Sequence, residues 1–166
     1  VPSDVFRAID AVLVLGVDDN SSPEGAAADA IISQYELANA VGRLRGVTFN
    51  VASDVQPFFE IGRRYPTHLR PGVVHVTGKV DRAHVNGALL RLMMGDGAVS
   101  PPSSSNFPQP AFNMIATLQD PSKPGQQTRV IVFGVKFTAW TYNIPLDDFV
   151  MESATFQALR VAFEES

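Results

Sequence analysis

The sequence predicts a mainly β fold: two packed antiparallel sheets, arranged as a sandwich or partial barrel, with one or two helices on the flank. Three observations predict it. Several stretches alternate apolar and polar residues with a period of two, among them Val47 to Val55 and Val73 to Val85. These stretches are not interleaved with helices, as strands of a parallel sheet would be. The longest pattern, Thr128 to Ser166, reads as a hairpin whose arms both exceed the usual strand of about five to six residues.

The 166 residues, 45% of them hydrophobic and 18% charged, are expected to form one domain, 1–166, with a core of its own. No apolar run reaches the roughly 18 residues that a membrane-spanning helix needs, so no membrane partner is expected. The opening VPSDVFRAIDAV has no basic segment followed by an apolar one and does not read as a signal peptide. Without cysteine there is no disulfide framework, thiolate metal site or cysteine nucleophile. A net charge of −4 opposes a surface that grips nucleic acid by neutralising phosphates.

Taken in order, Ala11 to Val17 is a short apolar run suited to a strand. Ser22, Pro23 and Glu24 suit a helix start, and Ala27, Ile31, Tyr35 and Ala38 continue at helical spacing toward Gly42. Ile31 to Leu37 fit an extended arm equally, with a turn at Asn39 to Gly42, so both forms stand for 23–41. Val47, Phe49, Val51 and Val55 alternate with polar residues along a strand with one wet face. Phe58 to Ile61 is a short apolar piece, Gly62 to Pro66 an irregular basic loop, and Pro71-Gly72 a turn. Val73 to Val85 sets Val74, Val76 and Val80 against His75, Thr77, Lys79 and Asp81. Asn86 can cap a short helix over Gly87 to Met94. The Pro/Ser-rich stretch 95–110 is a long loop, Phe112 to Leu118 a strand, and DPSKPGQQ a second loop. In the last hairpin, Ile131, Phe133, Val135, Phe137 and Ala139 are expected on one face and Lys136, Thr138 and Tyr142 on the other. Asn143, Pro145, Asp147 and Asp148 break the first arm, and a second runs from Phe149 to Val161.

Little of this points to catalysis. His75 and His84 are an odd number of residues apart, and with His68 they are the only imidazoles, so a three-histidine metal site has no regular strand to build it. No Gly-x-Ser-x-Gly elbow holds a serine, and Ser103 to Ser105 lie in the Pro-rich loop. Asp18, Asp19, Asn20 and Glu24 lack calcium-loop spacing and read as a turn before a helix. Asp147, Asp148 and Glu152 read as a polar turn rather than an acid–base pair. Arg43, Arg45, Arg63, Arg64, Arg70 and Arg82 with Phe58, Phe59 and Tyr65 fit a protein interface at least as well as a nucleic-acid one, given the net charge. No enzyme activity and no cofactor are expected.

Three segments together resemble a known family. They are GRLRGVTFNVASDVQPFFEIGRRYP (42–66), GVVHVTGKVDRAHVNGALL (72–90) and GVKFTAWTYNIPLDDFVMESATFQALRV (134–161). In order and spacing they are similar to the tail tube proteins of tailed bacteriophages and related viruses. The resemblance implies a structural virion protein that forms rings, usually hexameric, stacked into a hollow tail tube. It also implies the tape-measure protein and other tail proteins as partners, and viral DNA passing through the lumen without tight binding. Edges of each subunit's sheets would be closed by neighbours, with 149–161 and 73–85 in the inner barrel. Assembly contacts are expected at Arg63, Arg64 and Tyr65, at Trp140, Asp148, Phe149, Met151 and Phe156, and in the loop 95–110. The Ala-rich segment Gly25 to Ala30 and that loop depart from the family's pattern. Competing readings are the tube of a bacterial contractile injection system, a small-ligand-binding β-barrel and a hydrolase on a β-sandwich.

Overall fold

The computed structural model describes residues 11–18, 21–37, 44–83, 86–95, 109–119, 125 and 127–165. They form β1 (Ala11–Gly16), α1 (Pro23–Gln34), β2 (Leu44–Ser53), β3 (Gln56–Phe58), β4 (His68–Arg70), β5 (Val74–Ala83), α2 (Ala88–Met94), β6 (Phe112–Gln119), β7 (Gln127–Asn143), β8 (Met151–Ala158) and β9 (Arg160–Glu165). Seven strands make one antiparallel sheet in the order β1-β6-β7-β8-β5-β2, with β9 also on β7, while β3 and β4 pair separately.

The mainly β, antiparallel class is as expected, with a change of layout. The two expected sheets are halves of one sheet that share the 17-residue β7. Its first half lies between β6 and β9, and its second half pairs with β8. The second arm of the hairpin begins at Met151 rather than Phe149 and is broken at Leu159, whose N–H donates to the Phe133 carbonyl.

β7 does not keep a simple alternation. Val132, Val135 and Phe137 are buried, whereas Ile131 and Phe133 are half-buried and Ala139 is exposed. Two insertions cause the difference. The first lies between the pairs Met114↔Val132 and Phe112↔Val135, where Gly134 adopts φ +66°. An inserted residue turns the following side chains to the opposite face. Glycine is needed there, because the backbone is left-handed and a Cβ would stand 2.6 Å from Leu159 Cδ1. The second insertion, between Phe137 and Ala139, turns Trp140 and Tyr142 onto one face, where their rings stack at 5.2 Å.

A line of rings ties the two halves together. Phe49 of β2 lies 6.0 Å from Phe156 of β8, Phe156 lies 6.5 Å from Phe137 of β7, and Phe137 lies 5.2 Å from Phe112 of β6. Gly78 of β5 sits between Phe49 and Phe156 in the register. A Cβ there would stand 2.3 Å from both Phe156 Cζ and the Thr48 carbonyl oxygen, so its absence leaves room for the crossing rings. Leu13, Leu15, Val76, Val80, Met114 and Val132 fill the core around them.

Of the two forms open for 23–41, the helix forms. The Ser22 side chain accepts from the Gly25 N–H at 3.1 Å, Pro23 occupies the first turn, and Ala28, Ile31 and Ile32 are buried. The segment 38–43 lies outside the described residues, as do 96–108 of the Pro/Ser-rich loop, most of the second loop, and His84. α2 packs against β7 and α1.

Candidate assembly surfaces

The second half of β7, with β8, β5 and β2, forms a four-stranded band whose two edges are open among the described residues. β2 pairs only with β5. Beyond Val135, β7 has left β6 and pairs on one side only, with β8. Since each neighbouring pair is antiparallel, the two open edges run antiparallel to each other. One face of the band carries the aromatic core. The other is a field of hydroxyls and amides: Thr48, Asn50, Thr77, Thr141, Thr155 and Gln157. Its charges are paired: Lys79 lies 3.5 Å from Asp81, Lys136, opposite Gln157, lies 3.2 Å from Glu24, and Ser153 Oγ donates to Asp81 Oδ1.

From β2 the chain leaves the body. Every residue from Asn50 to Pro71 except Thr67 is exposed, so this arm, built on the β3–β4 pair, rests on nothing in the subunit that the structure describes. Phe58, Phe59, Ile61, Tyr65 and Leu69 are all exposed on it. The arm holds itself together: the Thr67 N–H donates to the Phe58 carbonyl, the Arg63 N–H to that of Glu60, and the Arg70 guanidinium lies 5.9 Å from the Phe58 ring centre. At its base the Asp54 N–H donates to Val73, and Gly72 passes so close that a Cβ would collide with the Asp54 carbonyl. His75 lies 3.1 Å from the Asp54 carboxylate. The other projection is the turn from β7 to β8, where Ile144, Leu146 and Phe149 are exposed beside Asp147 and Asp148.

The residues expected at assembly contacts thus divide. Arg63, Arg64 and Tyr65 lie at the arm's far end, and Asp148 and Phe149 in the turn, all exposed. Phe156 belongs to the core, and Met151 is half-buried at the first position of β8. Trp140 is half-buried and donates through Nε1 to Glu152 Oε2 at 3.0 Å. Glu152 itself is buried against Arg82, whose Nε donates to Oε1 at 2.5 Å and whose Nη2 donates to Asn86 Oδ1 and to the Asn86 carbonyl. Asn86 Oδ1 also accepts the Ala88 N–H at the start of α2. Neither Arg82 nor Glu152 is therefore part of a surface, although the sequence groups the first with the exposed basic residues and the second with the acidic turn. The signal was the alternation itself: two residues beyond Val80, Arg82 must face inward.

No group of three metal-ligating side chains occurs among the described residues. A cleft of about 650 Å³ opens beside the Gly134 insertion between Glu24, Met93, Lys136 and Leu159. It is wide open to solvent, and the Lys136 ammonium spans its rim to Glu24 at 3.2 Å.

No protein-family model and no curated protein matches the chain. Solved structures do, at low identity. A chain of the anti-feeding prophage cap, which terminates that particle's tube, superposes with TM-score 0.65 at 9% identity, over 100% of this chain and 95% of that one. A chain of the extended sheath–tube complex of the PVC extracellular contractile injection system gives 0.63 at 10% identity, over 98% and 93%. A chain of the SPP1 tail tube gives 0.54 at 12% identity, over 98% and 80%. The chain shares the fold of these tube assemblies.

Proposed function

We propose that the protein is a tail tube subunit, a non-enzymatic structural protein of a virion tail that assembles into rings stacked around a channel. The observation that carries this reading is the four-stranded band with two open edges of opposite direction. When copies sit side by side around an axis, the β2 edge of one meets the β7 edge of the next in antiparallel orientation. The alternation of strand direction then continues unbroken around a closed barrel, and neither edge of the band remains to template aggregation. Six-membered rings are the expected form.

The chemistry of the band's two faces supports the same arrangement. The core face is covered from within the subunit, which leaves the hydroxyl and amide face for the channel. Hydroxyls and amides stay hydrated, and the Lys79–Asp81 and Lys136–Glu24 pairs offer passing phosphates no net positive charge, so DNA moves through without tight binding. The tape-measure protein would occupy the same channel during assembly, other tail proteins would cap the ends, and the tube would be put together in the host cytoplasm. A second reading, the tube of a contractile injection system, uses the same subunit mechanics and is favoured by the larger overlap with the contractile assemblies than with the SPP1 tube.

Hydrogen exchange compared between isolated and assembled protein tests the edge pairing. Amides on the outer edges of β2 and of 138–143 should exchange quickly in the subunit and be protected in the assembly. Equal exchange at both edges in the two states would refute it.

A further inference from the structure

The two projecting segments lie at opposite ends of the same strands. On β5 the arm joins at Val74, whereas Ala83 at the far end pairs with Met151, where the turn returns to the sheet. At about 3.3 Å per residue, the ten-residue strand sets them roughly 30 Å apart. Both ends carry large apolar side chains in water. On the arm Ile61 is 107% and Tyr65 77% exposed, and on the turn Leu146 is 96% and Phe149 79% exposed. Isolated exposed apolar residues are ordinary, but clusters of this kind at a projecting tip mark contact surfaces.

The charges at the two ends are opposite. Arg63 and Arg64 stand beside Ile61 and Tyr65, and Asp147 and Asp148 stand beside Leu146 and Phe149. None of these four has an ion-pair partner among the described residues. With the ends held apart by the length of β5, the arm cannot reach the turn of its own subunit. A second copy can bring them together.

We propose that the arm of one copy docks on the Asn143–Val150 turn of a second copy, with Arg63 and Arg64 facing Asp147 and Asp148 around a contact of Ile61 and Tyr65 with Leu146 and Phe149. The proposal rests on the tube-subunit reading and adds to it the receiving surface and the polarity of stacking. Because the two surfaces differ and lie at opposite ends, the contact is heterologous. It does not close after two copies but repeats along the strand direction, which is what a growing tube requires. The apolar side chains supply the area removed from water, and the opposed charges set the register and reject stacking of like ends.

The absence of cysteine makes the contact directly testable. In the full chain, Arg64→Cys together with Asp147→Cys should give, on oxidation, a ladder of covalent multimers, whereas either substitution alone should stop at dimers. In parallel, R63E/R64E and D147K/D148K should each raise the concentration at which tubes form by about tenfold or more, and the two combined should bring it back toward wild type, since opposed charges are then restored. Both segments lie outside the core, so the folded state of each variant is checked by its unchanged circular dichroism. If wild-type tubes form but no ladder appears and the combined reversal restores nothing, the docking is wrong and the tube reading stands. If the wild type forms neither rings nor tubes, the underlying reading fails as well.

Discussion

Arg82 of β5 and Glu152 of β8 face each other across the sheet with Nε 2.5 Å from Oε1, and they are only 2% and 1% exposed. Trp140 Nε1 also donates to Glu152 and Arg82 also donates to the Asn86 side chain, so the pair links β7, β8 and β5 to the start of α2. A buried pair of this kind contributes little over well-packed apolar residues, but removing one partner strands the other charge in the core.

Glu152→Gln keeps the shape and loses the charge, leaving the guanidinium buried without its counter-ion. The expected destabilisation is about 3–5 kcal/mol, measured by urea unfolding of the dissociated subunit. Replacing both residues together, as R82M/E152L, should recover most of that loss. A double variant as unstable as the single one would show that the pair acts through shape rather than charge.

Gly134→Val places a β-branched side chain on a left-handed residue against Leu159. The strain costs on the order of 1–3 kcal/mol, and the insertion that reverses the faces of β7 is the feature at risk. Gly134→Val should therefore lower the unfolding midpoint, whereas Gly46→Val, at a strand glycine with open space around its Cβ and no positive φ, should lower it far less. Equal losses at the two sites would remove the insertion from the explanation.

Shortening the arm separates folding from assembly. Replacing residues 56–71 by an Asn-Gly turn removes only exposed residues apart from Thr67, so the subunit's unfolding free energy should change by less than about 1 kcal/mol. Stacking into tubes should be lost. Tubes of normal length from the shortened chain would assign the stacking contact elsewhere.

The sequence showed the strands and hid the insertions. β2, β5, β6 and the β7–β8 turn follow directly from alternation and from Pro145 and its neighbours. The faces of β7 do not, because an inserted residue leaves the composition of the strand unchanged and reverses the meaning of every position after it. The helix at Pro23–Gln34 is not decided by local pattern, because Ile31 to Leu37 fits an extended arm as well, and the Ser22 cap together with the burial of Ile31 and Ile32 decides it. The arm was half legible. Val51 and Val55 continue the alternation of Val47 and Phe49 as an ordinary half-buried strand would, yet both are exposed. Alternation reports that a face is to be covered and does not distinguish cover by the same chain from cover by another. The aromatic line from Phe49 to Phe112 joins residues far apart in the sequence, so no local pattern announces it.

On the proposed assembly, the open edges of one subunit are closed by the next around a channel. Electron microscopy of the purified protein should then show rings with a central hole, and tubes of stacked rings as the concentration rises. Monomeric globules under all assembly conditions would contradict it.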